Sequence, residues 1–309
     1  MVSVVITSYK EPKTIGRTIR SIADLRYSGL PSAPEIIQVS PDQKTLTAGK
    51  REAQRLRLGK RFIQIKDARE GKSTALNLAL KQVRGEIIIL TDGDVYFDKN
   101  AAGLLIKPFS DPEIGAVTGQ PIPNNSKSTF MGYSANFFTY VADLKRRAVF
   151  SKKENGYFKG ESDQFLLSGY IRANRNLDVE YAENFIDDAF MTLAIAKKGY
   201  KLAYVPEARA IVKFPRTLKD YLIQRKRNLR GHREIQHSAI AEGQKDHRSF
   251  LSELEYFLAP IKYAEMPKEY IWSILLYPLR LLTWLYVLIP QRKSKDPQKK
   301  TWERIVTTK

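Results

Sequence analysis

The first 92 residues alternate short apolar runs with segments of helical periodicity, and this order constrains the fold more than any other feature. The strand-like runs are Val2–Thr7, Glu35–Val39, Arg61–Ile65 and Glu86–Thr91. Apolar residues at helical spacing cover 13–26 and 72–83 between them. Strands that alternate with helices form an open, mainly parallel α/β sheet, and ligands of such sheets bind at the carboxyl ends of the strands.

Glu86–Thr91 is the most apolar run, so we predict a central strand with both faces covered. Further strands are predicted at Ala116–Pro123 and Lys201–Pro206. The remaining helices are predicted at 128–150, 184–198 and 217–233, followed by an amphipathic segment at 249–264.

The charge and cysteine content narrow the function classes. The 309-residue chain has a formal net charge of +19, which predicts an anionic partner such as nucleic acid, acidic lipid or a phosphorylated substrate. It contains no Cys and 3 His, which excludes disulfides and cysteine nucleophiles and makes a histidine zinc site a poor fit. No signal peptide is predicted at its start.

Two carboxylates follow the predicted central strand directly. Asp92 and Asp94 flank Gly93, and residues i and i+2 of an extended chain point to the same side. Such a pair can hold Mg²⁺ or Mn²⁺, which prefer oxygen ligands and share their shell with substrate phosphate. Two alternatives remain open: an ordinary Asp-Gly turn, and a phosphotransferase in which Asp92 is the nucleophile.

A second acidic pair, Asp187 and Asp188, begins the helix predicted at 184–198. A sugar hydroxyl must lose its proton as it attacks, and a carboxylate within hydrogen-bond reach can accept that proton. We predict that Asp188 is this base and that Asp187 orients it or the acceptor. The alternative is that both acids only complement the helix dipole.

The helix predicted at 217–233 is strongly basic, and Gln224 and Arg227 share one face of it at i and i+3. An arginine guanidinium can bind a phosphate with two parallel hydrogen bonds. The alternative is a solvated basic face, or one that contacts lipid headgroups or RNA.

Taken together, these segments resemble the family 2 glycosyltransferases, which have a GT-A fold, over about residues 1–233. The resemblance is carried by these motifs: VVITSYKEP, EGKSTALNLAL, TDGDV, AVTGQP, SGYIRANR, FIDDAFMTLAIAKKGYK and QRKRN. It implies a metal-dependent, inverting transfer from a nucleotide-diphosphate sugar, GDP- or UDP-linked, with Mn²⁺ or Mg²⁺ as cofactor and no nucleic-acid partner.

The resemblance also implies site roles. Asp188 is the expected base, and Asp92 and Asp94 carry the metal or ribose contacts. Ser168 and Gly169 are expected to border the acceptor. The expected donor-binding residues are Tyr9 and Glu11 beside the base or ribose, Lys72, Asp92, Gln224, and Arg227 facing the diphosphate.

The sequence departs from the family pattern at three places. The second strand ends in Ser40-Pro41-Asp42 instead of an Asp-rich segment, which puts base contacts there in doubt. The acidic pair is Asp-Asp where the family has Glu-Asp. Asn228 replaces the Trp of the processive Q-x-x-R-W motif, which removes an aromatic platform and argues against polymer synthesis.

The C-terminal part has a different character. Ile271–Ile289 is a hydrophobic run whose one charge is Arg280, with Pro278 beside it, and a basic tract follows. It is expected to span a membrane or to lie in its interface, or else to pack as a core helix. We therefore expect a catalytic domain at 1–233 and membrane-associating helices at 234–309. The expected partners are an anionic membrane surface on the cytoplasmic side and a lipid-linked or glycan acceptor. A non-catalytic basic module that binds RNA or membrane is the alternative outside enzymes.

Overall fold

The computed structural model describes residues 1–23, 33–149, 153–154, 156–160, 167–182, 186–236, 238, 240, 256–288 and 308. The strands are β1 Val2–Thr7, β2 Glu35–Ser40, β3 Phe62–Lys66, β4 Ile87–Asp92, β5 Tyr96–Phe97, β6 Ile114–Pro123, β7 Lys153–Glu154, β8 Tyr157–Gly160, β9 Arg172–Arg175 and β10 Lys201–Val212. The helices are α1 Ile15–Ala23, α2 Gln43–Arg55, α3 Lys72–Leu80, α4 Ala101–Ile106, α5 Phe130–Val149, α6 Asp187–Lys197, α7 Leu218–Gln236, α8 Ala259–Tyr263 and α9 Pro267–Leu288.

One mixed sheet organises these elements, in the order β3-β2-β1-β4-β9-β6-β10-β8-β7, with β5 paired to β10. Strands β1 to β4 are parallel to one another, as predicted, and β4 lies in the middle of the sheet. In the register of β1 and β4, Thr7 pairs with Asp92, so the carboxyl ends of these two strands lie side by side. This edge is where the sequence places the ligand.

The antiparallel strand β9 separates β4 from the parallel pair β6 and β10. Its first residue, Arg172, pairs with Leu90 on one side and Thr118 on the other. Because β9 runs against its neighbours, its beginning lies at their carboxyl ends. The segment at 168–171 therefore reaches the same edge as Asp92, from a part of the chain where the sequence predicts no strand.

Two apolar cores cover the two faces of the sheet. One packs under α1 and α4 and includes Val4, Ile19, Ile89 and Leu105. The other packs under α3 and α6 and includes Val5, Leu76 and Ile195. The alternation of neighbouring β1 residues between the two cores is what a strand buried on both faces requires.

A third, aromatic cluster joins the C-terminal helices to α5 and α7. Tyr133 and Phe137 of α5 and Tyr221 of α7 pack with Leu276 and Leu279 of α9. The Tyr133 hydroxyl lies 2.7 Å from Ser273 Oγ, which donates to the carbonyl of Pro260. Of the segment predicted as amphipathic, 249–264, residues 249–255 lie outside the described residues, and 256–264 include α8. Within the described part of the chain, no helix has the length and apolar character needed to cross a bilayer.

Candidate active site

The central feature of the candidate site is Lys72, which bridges the two acidic pairs. Its Nζ lies 2.8 Å from Asp92 Oδ1 and 3.4 Å from Asp187 Oδ2. Lys72 begins α3, Asp92 ends β4 and Asp187 begins α6, so three separate elements meet at one ammonium group. Burial acts to lower the pKa of Lys72, but the charges of Asp187 and Asp92 outweigh burial and hold that pKa above its ordinary value.

Asp187 is the more firmly held acid of its pair. Its Oδ2 also accepts a hydrogen bond of 2.8 Å from the buried guanidinium of Arg172, which donates in addition to the Tyr181 hydroxyl. Burial acts to raise the pKa of Asp187, but the charges of Lys72 and Arg172 outweigh it and keep the carboxyl ionised. A carboxylate stabilised in this way is a weak proton acceptor, so its geometry favours a positioning role.

Asp188 has a more open environment than Asp187. It is half-buried, and its Oδ1 accepts a 2.8 Å hydrogen bond from the backbone N–H of Ala189. Its Oδ2 lies against Gly169: a Cβ built on that glycine would be 3.1 Å from this oxygen. The predicted base and the predicted acceptor-side glycine are therefore in contact, and a side chain at 169 would crowd the carboxylate.

The turn that holds Asp92 and Asp94 is packed against β1. The Thr7 hydroxyl donates to Asp92 Oδ1 at 2.8 Å, and Thr18 donates to the Gly93 carbonyl at 2.9 Å. The buried Glu11 carboxylate lies so close to Gly93 that any side chain there would collide with it. Gly93 thus serves close packing, and Glu11 lies beneath the turn, away from solvent.

The two carboxylates of this turn repel each other in a partly enclosed place. Burial first, and then the charge of Asp92, raises the pKa of Asp94 to about 7. The described residues contain no group of three or more His, Cys, Asp or Glu able to hold a metal by themselves. Two carboxylates fit Mg²⁺ or Mn²⁺ nonetheless, because these ions complete their shell with water and substrate phosphate.

Ser168, which the sequence predicts at the acceptor side, and Tyr170 lie just before the start of β9, at the same edge. The buried Ser168 donates its backbone N–H to Thr118 Oγ1 at 3.0 Å, and the Tyr170 carbonyl accepts from Thr91 at 3.1 Å. Burial raises the pKa of Tyr170 to about 12, and the charges acting on its hydroxyl include Arg227 and Asp94. Arg227 of α7 is therefore close enough to Tyr170 to act on it electrostatically, as Asp94 is, and Gln224 is buried one turn earlier.

Tyr9 lies at the end of β1 between two cations. Its ring centroid is 5.3 Å from Lys10 Nζ and 5.2 Å from the guanidinium carbon of Arg69. Lys10 and Arg69 both have positive φ, 53° and 64°. Strained backbone of this kind is common at ligand sites, and it frames a flat aromatic surface here.

Asp67, which directly follows β3 at the carboxyl edge of the sheet, is a candidate site residue that the sequence analysis does not identify. It is 8% exposed, its Oδ1 accepts from the Arg69 backbone N–H at 2.7 Å, and its Oδ2 has no hydrogen-bond partner among the described residues. Burial raises its pKa above the ordinary value. Asp42, the acid that ends the β2 segment, is engaged elsewhere: it caps α2 through the N–H and hydroxyl of Thr45. The signal for Asp67 was its position directly after a parallel strand.

Arg172 is the other residue that the sequence reasoning did not single out, although it lies in the SGYIRANR motif. It is the largest of the fully buried side chains, and it fixes Asp187. A charged residue in a four-residue strand gives no sign of burial in the sequence. Its role depends on β9 being enclosed between two strands.

The sheet order, the acidic turn after β4 and the acidic helix start opposite it define a GT-A transferase fold. The sequence profile described as "Glycosyltransferase like family 2" matches residues 1–231. The chain belongs to glycosyltransferase family 2. Because the chain belongs to this family, the two alternative hypotheses, a non-catalytic basic module and a phosphotransferase with an aspartate nucleophile, are not supported.

Relatives of known name are similar over the same region. The poly-beta-1,6-N-acetyl-D-glucosamine synthase of Staphylococcus aureus (strain COL) is 26% identical over 239 residues, 76% of this chain and 55% of that protein. An N-acetylglucosaminyltransferase of Rhizobium meliloti (strain 1021) is 26% identical over 236 residues, 73% of this chain and 54% of that protein. The chain spans about half the length of these relatives.

A solved structure shows the same fold. The mannosyltransferase PcManGT from Pyrobaculum calidifontis, in complex with GDP-Man and Mn²⁺, superposes with a TM-score of 0.59 at 18% identity. The likeness covers 93% of this chain and 84% of that one. At this identity the comparison supports the architecture, and the site roles rest on the geometry described above.

Proposed function

We propose that the chain transfers a sugar from a GDP- or UDP-linked donor to a hydroxyl of a lipid-linked or glycan acceptor, with inversion at the anomeric carbon. The observation that carries this proposal is the Lys72 bridge, which brings Asp92 and Asp187 to one point at the carboxyl edge of the sheet. In this proposal one acidic pair lies beside the diphosphate and the other beside the acceptor.

The donor's diphosphate is proposed to lie beside Lys72, with Arg227 facing it from α7. Asp92 and Asp94 would hold Mn²⁺ or Mg²⁺, which supplies positive charge for the departing diphosphate. The base of the donor would lie against Tyr9, with Asp67 accepting one of its N–H groups, while Glu11 supports the carboxylate turn from below.

The reaction proposed is a single in-line displacement. The acceptor hydroxyl attacks the anomeric carbon, the bond from that carbon to the diphosphate oxygen breaks, and Asp188 takes the hydroxyl proton. Ser168 and Gly169 border the acceptor, and Gly169 leaves room for the Asp188 carboxylate. Asp187 positions Asp188 through the start of α6. Asn228 lacks the aromatic surface that would hold a growing polymer, so transfer of one residue per encounter is expected.

The location proposed for this reaction is the cytoplasmic surface of a membrane, where lipid-linked acceptors are held. The division into a catalytic domain at 1–233 and a membrane-associating part at 234–309 belongs to the same proposal. Its support is the packing of α8 and α9 on α5 and α7 through the aromatic cluster.

Isothermal titration with UDP and GDP, each with and without Mn²⁺ or Mg²⁺, tests the donor site. Binding to one nucleotide that strengthens with the metal is expected for the wild type. Asp92→Ala and Asp94→Ala should lose the metal-dependent part, while Asp98→Ala, at the next and exposed aspartate, should keep it. Metal-independent affinity in the wild type would remove the metal assignment, and no nucleotide binding at all would remove the donor.

A further inference from the structure

Helix α9 has an inverted polarity. Its polar side chains Glu269, Ser273 and Thr283 are buried against the protein. Its outward residues are apolar, and they recur at helical spacing: Tyr270, Ile271, Ile274, Leu275, Leu281, Leu282 and Leu285. A helix on the surface of a protein surrounded only by water shows the opposite arrangement.

Arg280, like the buried polar residues of α9, points towards the protein. It is the single charged residue between 270 and 288, and its guanidinium carbon lies 5.2 Å from the centroid of the Phe138 ring of α5. The groups that interact electrostatically with the Arg280 guanidinium are Arg225 and the Tyr221 hydroxyl, both on α7. The charge is therefore directed into the protein, and the outer face from Tyr270 to Leu285 presents no charge to its surroundings.

The apolar face is continued by α8 and by the residues just before and just after it. Phe257, Leu258, Ile261 and Met266 are exposed there. The thirteen exposed large hydrophobic side chains among the described residues include eleven in this C-terminal part. A continuous apolar surface of this kind on an otherwise charged protein marks a docking surface.

Charge and aromatic content decide the occupant. Lys262 and Lys268 are exposed at the border of the apolar face, and the whole chain carries +19. Trp272, Trp284 and Tyr286 lie half-buried along its sides, where amphipathic rings contact lipid headgroups. Anionic lipid complements both the positive charge and the apolar face, whereas a second copy of the chain would repeat the same positive charge.

We infer that the outer face of α8 and α9 lies in the plane of one leaflet of an anionic lipid surface, with the helix axis parallel to that surface. The inner face of α9 stays on α5 and α7, and Lys226 of α7 lies 4.6 Å from the Tyr286 ring centroid. Because α7 also carries Gln224 and Arg227, one helix separates the lipid from the proposed donor site. This inference specifies which surface of the protein contacts the membrane in the proposed location. It rests on the packing of α8 and α9, which does not depend on catalysis.

Flotation of the full chain with phosphatidylcholine–phosphatidylglycerol vesicles, without nucleotide or metal, tests the inference. The wild type should float with the vesicles, and more weakly with phosphatidylcholine alone. Ile271→Glu/Ile274→Glu replaces two side chains that are 62% and 63% exposed. It should weaken the partition by about tenfold or more for each isoleucine withdrawn from the lipid.

The matched control is Gln54→Glu/Gln82→Glu, which changes the net charge equally at exposed positions of α2 and just after α3. It should float like the wild type. Unchanged circular dichroism and nucleotide binding in both variants show that residues 1–233 are folded. A failure of the proposed donor site is therefore detected separately from a failure to bind lipid.

Equal flotation of the wild type and the Ile271→Glu/Ile274→Glu variant would overturn the inference. So would a wild type that stays with the soluble fraction. If that wild type sediments as a dimer that the isoleucine variant dissociates, a second copy of the chain is the occupant instead.

Discussion

The ammonium group of Lys72 lies 2.8 Å from the Asp92 carboxylate. The same ammonium also pairs with Asp187, so one cation balances the end of β4 and the start of α6. Asp187 is buried and Asp92 is partly exposed, and each would lose an ionic partner without this lysine. The site is thus pre-assembled around a positive charge at the place where a diphosphate is proposed to bind.

Lys72→Met should weaken nucleoside diphosphate binding by tenfold or more, since it removes the charge beside the phosphates. It should also lower the free energy of unfolding by about 1–3 kcal/mol, because the buried Asp187 and the partly exposed Asp92 each lose an ionic partner. Calorimetric titration and urea unfolding measure the two effects. Lys81→Met, at the exposed end of the same helix, is the control and should leave both unchanged. Wild-type affinity in Lys72→Met would separate the bridge from donor binding.

The two acids of α6 should respond differently to the same substitution. Asp188→Asn should remain folded and bind donor, and its turnover should fall by about 10²–10⁴-fold, the range for loss of a general base. Donor titration and a coupled assay for released nucleoside diphosphate measure this.

Asp187→Asn should instead lower the free energy of unfolding by about 2–4 kcal/mol, because Arg172 and Lys72 lose their shared partner. Urea unfolding compares it with Asp188→Asn. If Asp187→Asn is as stable as the wild type and Asp188→Asn is the unstable one, the two roles are exchanged.

Asp67 and Asp42 allow a matched test of which acid binds the nucleotide base of the donor. Asp67→Asn should weaken nucleoside diphosphate binding by about tenfold, because an open carboxylate oxygen becomes part of an amide. Asp42→Asn should bind like the wild type, since asparagine caps a helix as well as aspartate does. Titration with and without Mn²⁺ should show the same metal dependence in both. A larger loss in Asp42→Asn would assign base recognition to the end of β2.

Glu52 of α2 gives the fold an acid-sensitive contact. Its hydrogen bond with Arg55, against the opposing effect of burial, and its pairing with Arg20 lower the pKa of its carboxyl to about 2. Because the folded-state pKa lies below the unfolded value, the contact stabilises the protein above about pH 4.5, and this contribution is lost as the pH falls towards 2.

Urea unfolding of the wild type and Glu52→Gln at several pH values between neutrality and pH 3 measures this contribution. A difference of about 1–3 kcal/mol is expected at neutral pH, reduced from the full linkage value because both arginines are half exposed to solvent. The difference should shrink in acid. A difference that does not change with pH would mean that packing, and not charge, accounts for it.

The parts of the fold predicted correctly are those in which the local pattern and the burial agree. Strands β1, β2 and β4 are apolar runs buried in the sheet, β3 is a half-buried edge strand, and α3, α5 and α6 begin and end within three residues of their predictions. Helix α2 is not predicted from the sequence, because QKTLTAGKREAQR is mostly polar and only a few of its residues are buried.

The candidate site also has a part that can be predicted from the sequence and a part that cannot. The acidic pairs are visible in the sequence because each follows or begins a regular element. The Lys72 bridge is not visible, since its three members are far apart in the chain and depend on the order of the strands. The outward apolar face of α9 was hidden as well, because a hydrophobic run does not show which side its few polar residues take until the packing on α5 and α7 is known.

The position of β9 has a consequence for how the protein is made. During synthesis, β4 and β6 emerge first, and their facing edges stay unpaired until residues 172–175 arrive to fill the gap. Pairing over so long a stretch of chain is slow, and open central edges invite association with other chains. The two halves of the sheet are therefore joined only once β9 has been made, and the segments that carry Asp187 and Arg227 follow it in the chain, so the candidate site is assembled last.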